Sequence, residues 1–250
     1  MERRYIDTVT LHSAPQSYSY LAKIPAIQHL IQHKSIHFNK DVTFFVGENG
    51  TGKSTLAEAI AIAFGFNPEG GSRNFSFSTK ASHAGLWEHL TLERSAYPQD
   101  GYFLRAESFY NVATYIEELD KIPAAAPPVT DGYGGTSLHE QSHGESFMSL
   151  VQNRFHGNGL YILDEPEAAL SPSRLLTLLA EIHALVKKNS QFIIATHSPI
   201  LMAYPQANIL EFSKEGIRQV AYRDTEHYQI SRSFLENPEK MLRYLFHEEN

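Results

Sequence analysis

Two nearly uninterrupted apolar runs dominate the hydrophobic pattern in the second half of this chain. Residues 159–163 and 191–195 are typical of strands that are buried on both faces of a sheet. Between them, Ser171-Pro172 predicts a helix start, because serine caps helices and proline is favoured in the first turn. We expect that helix to end at 187–189 and to bury one face, formed by Leu175, Leu176, Leu179, Ile182 and Val186. This alternation of strand and helix predicts a mostly parallel sheet with helices on both faces.

The first half of the chain predicts further strands around one helix. Residues 5–11 alternate between apolar and polar side chains, and 36–38 precede a turn at 39–41, which indicates an N-terminal antiparallel β-region. Residues 22–34 fit either a short helix or a loop. The other predicted elements are a buried strand at 41–46, a helix at 55–64, a hairpin of strands at 90–94 and 101–105, a helix at 109–119, a mobile loop at 122–136, a helix at 146–155, a closing hairpin at 207–212 and 216–222, and a final helix at 237–246.

A glycine-rich segment joins the strand predicted at 41–46 to the helix that follows. Residues 47–55 match the phosphate-binding pattern Gly-x4-Gly-Lys-Ser/Thr at every required position. The glycines let backbone N–H groups close around a polyphosphate, and the helix N-terminus favours the anion. Lys53 is expected to reach the β- and γ-phosphates and Ser54 to ligate Mg²⁺. The predicted nucleotide-binding residues are Asn49, Gly50, Thr51, Gly52, Lys53, Ser54 and Thr55.

Polar side chains follow both apolar runs of the second half. Asp164 and Glu165 come directly after one predicted strand, where ligands sit in parallel sheets. Asp164 suits the Mg²⁺ shell, and Glu165 suits polarisation of an attacking water. His197 follows the next strand and can contact the γ-phosphate and sense its loss, although a lone histidine is more often a satisfied polar group. The predicted catalytic residues are therefore Glu165, His197 and Lys53, with Ser54 and Asp164 as metal ligands.

A third segment, Ser142-His143-Gly144-Glu145, opens the helix predicted after the loop at 122–136. Small residues at a helix N-terminus can form an anion site. The same pattern is also an ordinary helix cap, and the segment alone does not distinguish the two interpretations.

Composition narrows the class of protein. The chain has 250 residues, no cysteine and a formal net charge of −7, which excludes a thiolate metal site and disfavours a general DNA coat. We expect one α/β domain, with residues 1–65 and 156–250 as the nucleotide-binding core and 66–155 as an insertion. The apolar run at 57–66 is too short to span a bilayer and residues 1–5 lead into no secretory signal, so we expect a cytoplasmic protein.

The order of phosphate loop, serine-glycine segment, Asp164-Glu165 and Thr196-His197-Ser198-Pro199 resembles the ABC-type ATPases. Residues 47–55 and 196–199 are most similar to the SMC/RecF-like, AAA-labelled bacterial branch and its small stand-alone ATPases. The resemblance implies a P-loop NTPase fold, an ABC-type head with a short helical subdomain, and ATP and Mg²⁺ as cofactors. It also implies a homodimer that holds two ATP head to tail, in which Ser142, His143, Gly144 and Glu145 form the signature segment that faces the nucleotide of the opposite subunit.

The sequence departs from that family in several places. Gln141 and His143 replace the usual leucine and first glycine of the signature, and Ser171 stands where an aspartate is common. Glu107 lies near the place of the family's glutamine loop. Arg73 fits either a phosphate or base contact or a solvated loop residue. Only about ninety residues separate the phosphate loop from the signature, without heptads, so a long coiled-coil arm is excluded.

The motif order favours an ATP-hydrolysing switch that drives or regulates a partner, in DNA maintenance or phage defence by analogy. The alternatives are an ATP-sensing module that controls an effector protein with little hydrolysis, the ATPase subunit of a transporter, and a small-molecule kinase. Nucleic acid is an allowed partner that the net charge does not support, and a membrane partner is not expected.

Overall fold

The computed structural model describes residues 4–72, 85–122 and 127–246. Its strands are β1 (Thr8–Leu11), β2 (Ser35–His37), β3 (Val42–Gly47), β4 (Leu90–Glu93), β5 (Asp100–Arg105), β6 (Gly159–Asp164), β7 (Gln191–Ala195), β8 (Asn208–Ser213) and β9 (Gly216–Gln219). Its helices are α1 (Pro25–His33), α2 (Lys53–Phe64), α3 (Phe109–Asp120), α4 (His143–Arg154), α5 (Pro172–Val186), α6 (Pro199–Met202), α7 (Glu226–Glu236) and α8 (Pro238–Phe246).

A six-stranded sheet forms the centre of the fold, in the order β5-β6-β7-β3-β8-β9. Every neighbouring pair is parallel except β8 and β9, which form the predicted closing hairpin. The predicted α/β class with a mostly parallel sheet is therefore confirmed. Because β3, β6 and β7 are neighbours and run in the same direction, their carboxyl ends lie along one edge of the sheet.

The central sheet separates two hydrophobic cores, and alternate residues of each strand enter different cores. Phe44 and Tyr161 belong to the core that also contains side chains of α3, α4 and α5. Phe45 and Ile162 belong to the opposite core, with side chains of α1, α2 and the small sheet. Since both faces of the strands are covered, the strands need apolar residues at nearly every position.

A second, three-stranded antiparallel sheet has the order β2-β1-β4, which confirms the N-terminal antiparallel region. The hairpin predicted for 90–94 and 101–105 is wrong, because β4 pairs with β1 and β5 pairs in parallel with β6. Burial explains the separation. The middle residues of β5, Tyr102, Phe103 and Leu104, are almost fully buried, whereas β4 exposes alternate residues at an edge. The range 66–155 thus contributes a strand to each sheet.

Helix α5 begins after Ser171 as predicted, but its buried face differs from the predicted one. Leu176 is 60% exposed, and the buried positions are Leu175, Leu178, Ile182 and Leu185. These positions follow a spacing of three and four residues, which keeps one stripe of a helix towards the core. The Ser171 hydroxyl contacts the Ser173 hydroxyl at 3.1 Å and makes no capping hydrogen bond to the helix backbone.

Several local predictions change in the structure. Helix α4 begins at His143, three residues before the predicted start at Ser146. Part of the segment predicted as a loop at 122–136 forms a 3₁₀ turn at Val129–Tyr133 and buries Tyr133 in the core. Residues 123–126 and Arg73 lie outside the described residues. No helix in the described ranges combines the length and the hydropathy that a membrane span requires.

Candidate active site

The phosphate loop leaves β3 at Gly47 and enters α2 at Lys53, two residues earlier than predicted for the helix. Gly47, Gly50 and Gly52 all have positive φ angles, which side chains disfavour. A Cβ on Gly47 would lie 2.0 Å from the carbonyl oxygen of Phe212, and one on Gly52 would lie 2.5 Å from Cγ2 of Ile24. No atom of the described residues lies within 4 Å of the corresponding position at Gly50, which is exposed. The fold therefore requires two of these glycines sterically and leaves the third open to a ligand.

Lys53 is buried at the start of α2. Its Nζ donates to the carbonyl oxygens of Gly47 at 2.7 Å and Glu48 at 2.9 Å. Burial lowers the pKa of Lys53, and the carboxylates of Glu165 and Asp164 oppose that shift. An ammonium group held by two carbonyl oxygens can exchange them for the oxygens of a phosphate, which are stronger acceptors.

Asp164 is buried at the carboxyl end of β6. Burial raises its pKa to about 6, while a hydrogen bond from the Ser54 hydroxyl and the charge of Arg105 oppose the rise. Among the described residues, its Oδ1 atom has no hydrogen-bond partner. A buried carboxylate with an unused oxygen beside a hydroxyl offers the hard oxygen ligands that Mg²⁺ prefers. Ser54 and Asp164 therefore fit the predicted metal role.

Glu165 follows with a positive φ of 52° and donates its backbone N–H to the carbonyl of Ala195 at 2.9 Å. Its Oε1 lies 3.8 Å from Nε2 of His197, and its side chain is 41% exposed. Glu165 also lines a cavity of about 250 Å³ together with Ile24, Asn49, Gly50, Gly52, Lys53, Ser54 and Thr55. The structure thus brings the predicted general base to the predicted phosphate loop.

His197 lies just beyond β7, close to Glu165. Burial, the charge of Lys53 and the neighbouring His227 together lower the pKa of His197 to about 4. The imidazole is therefore neutral near pH 7. Its Nδ1 lies 3.0 Å from Nε2 of His227, while its Nε2 is buried without a hydrogen-bond partner in the described ranges.

Two residues at this site were missed by the sequence analysis. Glu167 accepts hydrogen bonds from the Thr196 hydroxyl at 2.8 Å and from the backbone N–H of His197, so it joins the loops after β6 and β7. Burial raises the pKa of Glu167, and nearby Glu165 adds to the rise. The sequence could have indicated Glu167, because this residue belongs to the acidic run around Pro166. No sequence pattern indicated His227, because it lies on α7, a helix that was not predicted.

The signature segment forms the N-terminus of α4. The Ser142 hydroxyl donates to Oε2 of Glu145 at 2.6 Å, and Oε1 of Glu145 lies 3.2 Å from Nη2 of Arg174. Gly144 packs so closely that a Cβ there would lie 2.9 Å from the carbonyl oxygen of Ala169. The Tyr110 hydroxyl lies 3.0 Å from Nδ1 of His143. Ser142, His143 and Glu145 are exposed.

These signature residues are not brought to the phosphate loop of their own chain. Within the described residues, none of the hydrogen bonds and ion pairs given for 142–145 reaches 47–55, Glu165 or His197. The structure therefore separates the predicted site residues into two groups, one around the loop and one at the start of α4. The role of the second group on an opposite subunit stays a prediction.

Arg105 ends β5 opposite Asp164 in the sheet. Its Nη1 lies 2.7 Å from Oε2 of Glu58, and its Nε lies 3.9 Å from Oδ2 of Asp164. Glu107, the residue near the predicted glutamine loop, is 85% exposed and lies 3.4 Å from Nη2 of Arg105. The arginine thus places a positive charge between three carboxylates at this edge of the sheet.

Two domain families match the sequence. One, described as an AAA domain, matches residues 26–122 and contains the phosphate loop. The other, described as an AAA domain and candidate AbiEii toxin of a type IV TA system, matches residues 136–203 and contains the signature segment, Asp164, Glu165 and His197. No curated protein matches the sequence.

Solved structures share the fold at low sequence identity. An ATP-binding cassette of an ABC transporter has a TM-score of 0.52 and 14% identity, over 96% of this chain and 99% of that chain. A candidate metal-chelate type ABC transporter in an inward-facing conformation has a TM-score of 0.51 and 14% identity, over 91% of this chain and 88% of that chain. An SMC head domain from Thermotoga maritima aligns with a TM-score of 0.43 and 15% identity, over 87% of this chain and 98% of that chain. The predicted ABC-type resemblance is confirmed at the level of the fold: two AAA-domain families match separate parts of this chain, and a solved ATP-binding cassette shares its architecture.

Proposed function

We propose that this protein binds ATP at residues 49–55 and hydrolyses it with Glu165 as the general base. One observation carries the proposal. The buried Lys53 and Glu165 line one cavity beside the loop. Asp164, whose Oδ1 has no hydrogen-bond partner among the described residues, precedes Glu165 in the chain, and the neutral imidazole of His197 lies 3.8 Å from Glu165. A fold that gathers these groups from three strand ends is suited to transfer of a γ-phosphoryl group to water.

Each group has a defined task in that reaction. The N–H groups at the start of α2 and the Lys53 ammonium bind the β- and γ-phosphates and neutralise their charge. Ser54 and Asp164 would hold Mg²⁺, which would supply positive charge to the phosphate oxygens. Glu165 accepts a proton from the attacking water, and Nε2 of His197 lies 3.8 Å from Oε1 of Glu165.

The proposal includes a head-to-tail dimer that forms around two ATP molecules. Its support is the separation of the two groups of site residues within one chain. Ser142, His143 and Glu145 are exposed at the N-terminus of α4, where a phosphate group from a second copy can be bound. Gly144 is buried, and an added Cβ would lie 2.9 Å from the carbonyl oxygen of Ala169, so this position admits no side chain.

The test compares Glu165→Gln with wild type and with Glu93→Gln, the same change at an exposed residue on the edge strand β4. Loss of a general base costs about 10²- to 10⁴-fold in rate, so ATP turnover by Glu165→Gln should fall by at least a hundredfold. ATP should then hold this variant as a dimer in size-exclusion chromatography. Normal turnover by Glu165→Gln, or transfer of phosphate to an acceptor other than water, would contradict the proposal.

The second candidate is an ATP-sensing module that controls an effector and hydrolyses ATP slowly. It is favoured by the toxin and TA-system description of the family that matches residues 136–203. This candidate predicts tight ATP binding, turnover no faster than that of Glu165→Gln, and a protein that co-purifies only when ATP is bound. Measurement of turnover with double-stranded DNA, with liposomes and with any co-purifying protein separates these functions from DNA maintenance and from transport.

A further inference from the structure

His227 reaches the active site from a part of the chain remote in sequence from every predicted motif. Its Nε2 lies 3.0 Å from Nδ1 of His197, and the two rings are 5.1 Å apart, tilted by 55°. A nitrogen–nitrogen distance of this size is a hydrogen bond, so one of the two nitrogens carries the proton between them.

The position of His227 is fixed by the buried end of an otherwise exposed helix. Thr225, the N-cap of α7, is fully buried, and its hydroxyl donates to the Tyr222 carbonyl at 2.8 Å. The Tyr222 hydroxyl in turn donates to the carbonyl of Pro199 at 3.0 Å, two residues after His197. The segment 222–227 therefore holds the loop after β7 at two points, through Pro199 and through His197.

The surroundings of His197 decide which nitrogen is protonated. Burial lowers the pKa of both imidazoles, and the Lys53 charge lowers both further, so each ring carries one proton near pH 7. If Nδ1 of His197 held the proton, its bare Nε2 would face the Glu165 carboxylate at 3.8 Å, lone pair against negative charge. With the proton on Nε2, a donor faces that carboxylate.

We propose that His227 is a positioning residue that donates its Nε2–H to Nδ1 of His197 and so holds the His197 proton on Nε2. In that state His197 presents a fixed donor to Glu165 and to the γ-phosphate, a consequence that rests on the proposed ATPase function. The charged groups around His227 are Lys53, Glu226, Glu211 and Glu48. His227 acts through His197 and needs no contact of its own with the nucleotide.

Nitrogen NMR of histidine-labelled protein tests the proton positions directly and without ATP. The chain has thirteen histidines. The signals of His197 and His227 are identified as those that disappear in His197→Gln and in His227→Gln, respectively. The wild type should show a bare Nδ1 and a protonated Nε2 for His197. A proton on Nδ1 of His197 would overturn the inference, whether or not the protein hydrolyses ATP.

Kinetics of matched variants then tests the consequence. His227→Leu removes the donor and should lower kcat about tenfold with little change in KM, the scale on which second-layer partners of histidine act. His227→Gln retains an N–H at the place of Nε2 and should restore kcat to within about threefold of wild type. His183→Leu makes the same change at an exposed position of α5, outside the site, and should be neutral.

The possible outcomes separate the two proposals. Equal loss in the Leu and Gln variants at 227, or no loss in the Leu variant, overturns the positioning role. Absence of turnover in the wild type overturns the proposed hydrolysis, and the NMR result then decides the proton positions alone. If His227→Leu does not fold, the wild-type spectrum still gives a decisive answer.

Discussion

Glycines 47 and 50 of the phosphate loop should fail in different ways when each is changed to alanine. Gly47 has a φ of 125°, and an added Cβ would lie 2.0 Å from the backbone carbonyl oxygen of Phe212. That oxygen belongs to β8, which pairs with β3, so it cannot move without distorting the central sheet. Gly50 has a φ of 81°, and no atom in the described part of the chain lies within 4 Å of an added Cβ.

The magnitudes follow from these two environments. An alanine in a disfavoured φ region costs about 1–3 kcal/mol, and forced overpacking against a rigid neighbour costs about 1–3 kcal/mol more. Gly47→Ala should therefore lose about 2–6 kcal/mol of unfolding free energy, a large part of the stability of a typical domain. Gly50→Ala should lose only the cost of the disfavoured φ angle, about 1 kcal/mol of unfolding free energy.

Urea denaturation monitored by circular dichroism measures both losses, and titration with a fluorescent ATP analogue measures binding. Gly50→Ala should fold but bind nucleotide poorly, because its new methyl group occupies the open space that the phosphates need. Gly132→Ala is the control for the substitution itself, because Gly132 has no positive φ and an added Cβ would have no neighbour within 4 Å among the described residues. A loss below about 1 kcal/mol for Gly47→Ala, or equal losses at 47 and 50, would refute the steric reasoning.

Three further predictions concern other parts of the fold. Burial raises the pKa of Asp100, but bonds from the His156 N–H and the Tyr161 hydroxyl, with the Arg154 charge, lower it overall. The stabilisation by the Asp100 carboxylate is thus present at neutral pH and is lost as pH falls through its lowered pKa. Asp100→Asn should therefore lower the free energy of unfolding by about 1–3 kcal/mol near pH 7 and by progressively less in acid. Denaturation measured at several pH values checks this. Glu167→Ala frees the Thr196 hydroxyl and the His197 N–H, and we expect kcat to fall about tenfold in steady-state assays, more than for Glu93→Gln. Leu178→Ala should lower the free energy of unfolding, measured in urea, by about 2–5 kcal/mol, whereas Leu176→Ala should be nearly neutral. The reverse order would contradict this buried face of α5 and favour the face that the sequence predicted.

Burial on both faces of a strand is what made the central sheet predictable. The runs at 159–163 and 191–195 are apolar because helices and the small sheet cover both of their sides, and the structure places them in β6 and β7. Strand pairing was not predictable in the same way, because partners distant in sequence compete with the adjacent strand. β4 lies close to β5 along the chain, yet it pairs with β1, more than 75 residues earlier.

Helix α7 escaped prediction for a related reason. None of its residues is buried, so the pattern of apolar positions that identifies a core-facing helix is weak there. Helix α8 has no buried residue either, but Asn237-Pro238 provides a start signal that α7 lacks. The anchoring of α7 depends on Thr225, a single buried cap whose importance the sequence does not reveal.

The sequence predicted those residues of the candidate site that lie at or after the end of a buried strand. Lys53, Asp164 and His197 each follow a buried strand, and parallel pairing of β3, β7 and β6 brings them to one edge. The contact between His197 and His227 depends on how α7 docks, which no local pattern specifies. The separation of Ser142 from the phosphate loop likewise depends on the packing of α4 against α5.

Single-turnover hydrolysis of ATP, with enzyme in excess over nucleotide, tests the central claim most directly. It isolates the chemical step from product release and from assembly with any partner. We predict that wild type converts bound ATP to ADP and free phosphate, and that Glu165→Gln binds the same amount of ATP but converts it at least a hundredfold more slowly. Equal conversion rates for the two proteins would contradict the assignment of Glu165, and conversion by neither would contradict the ATPase itself.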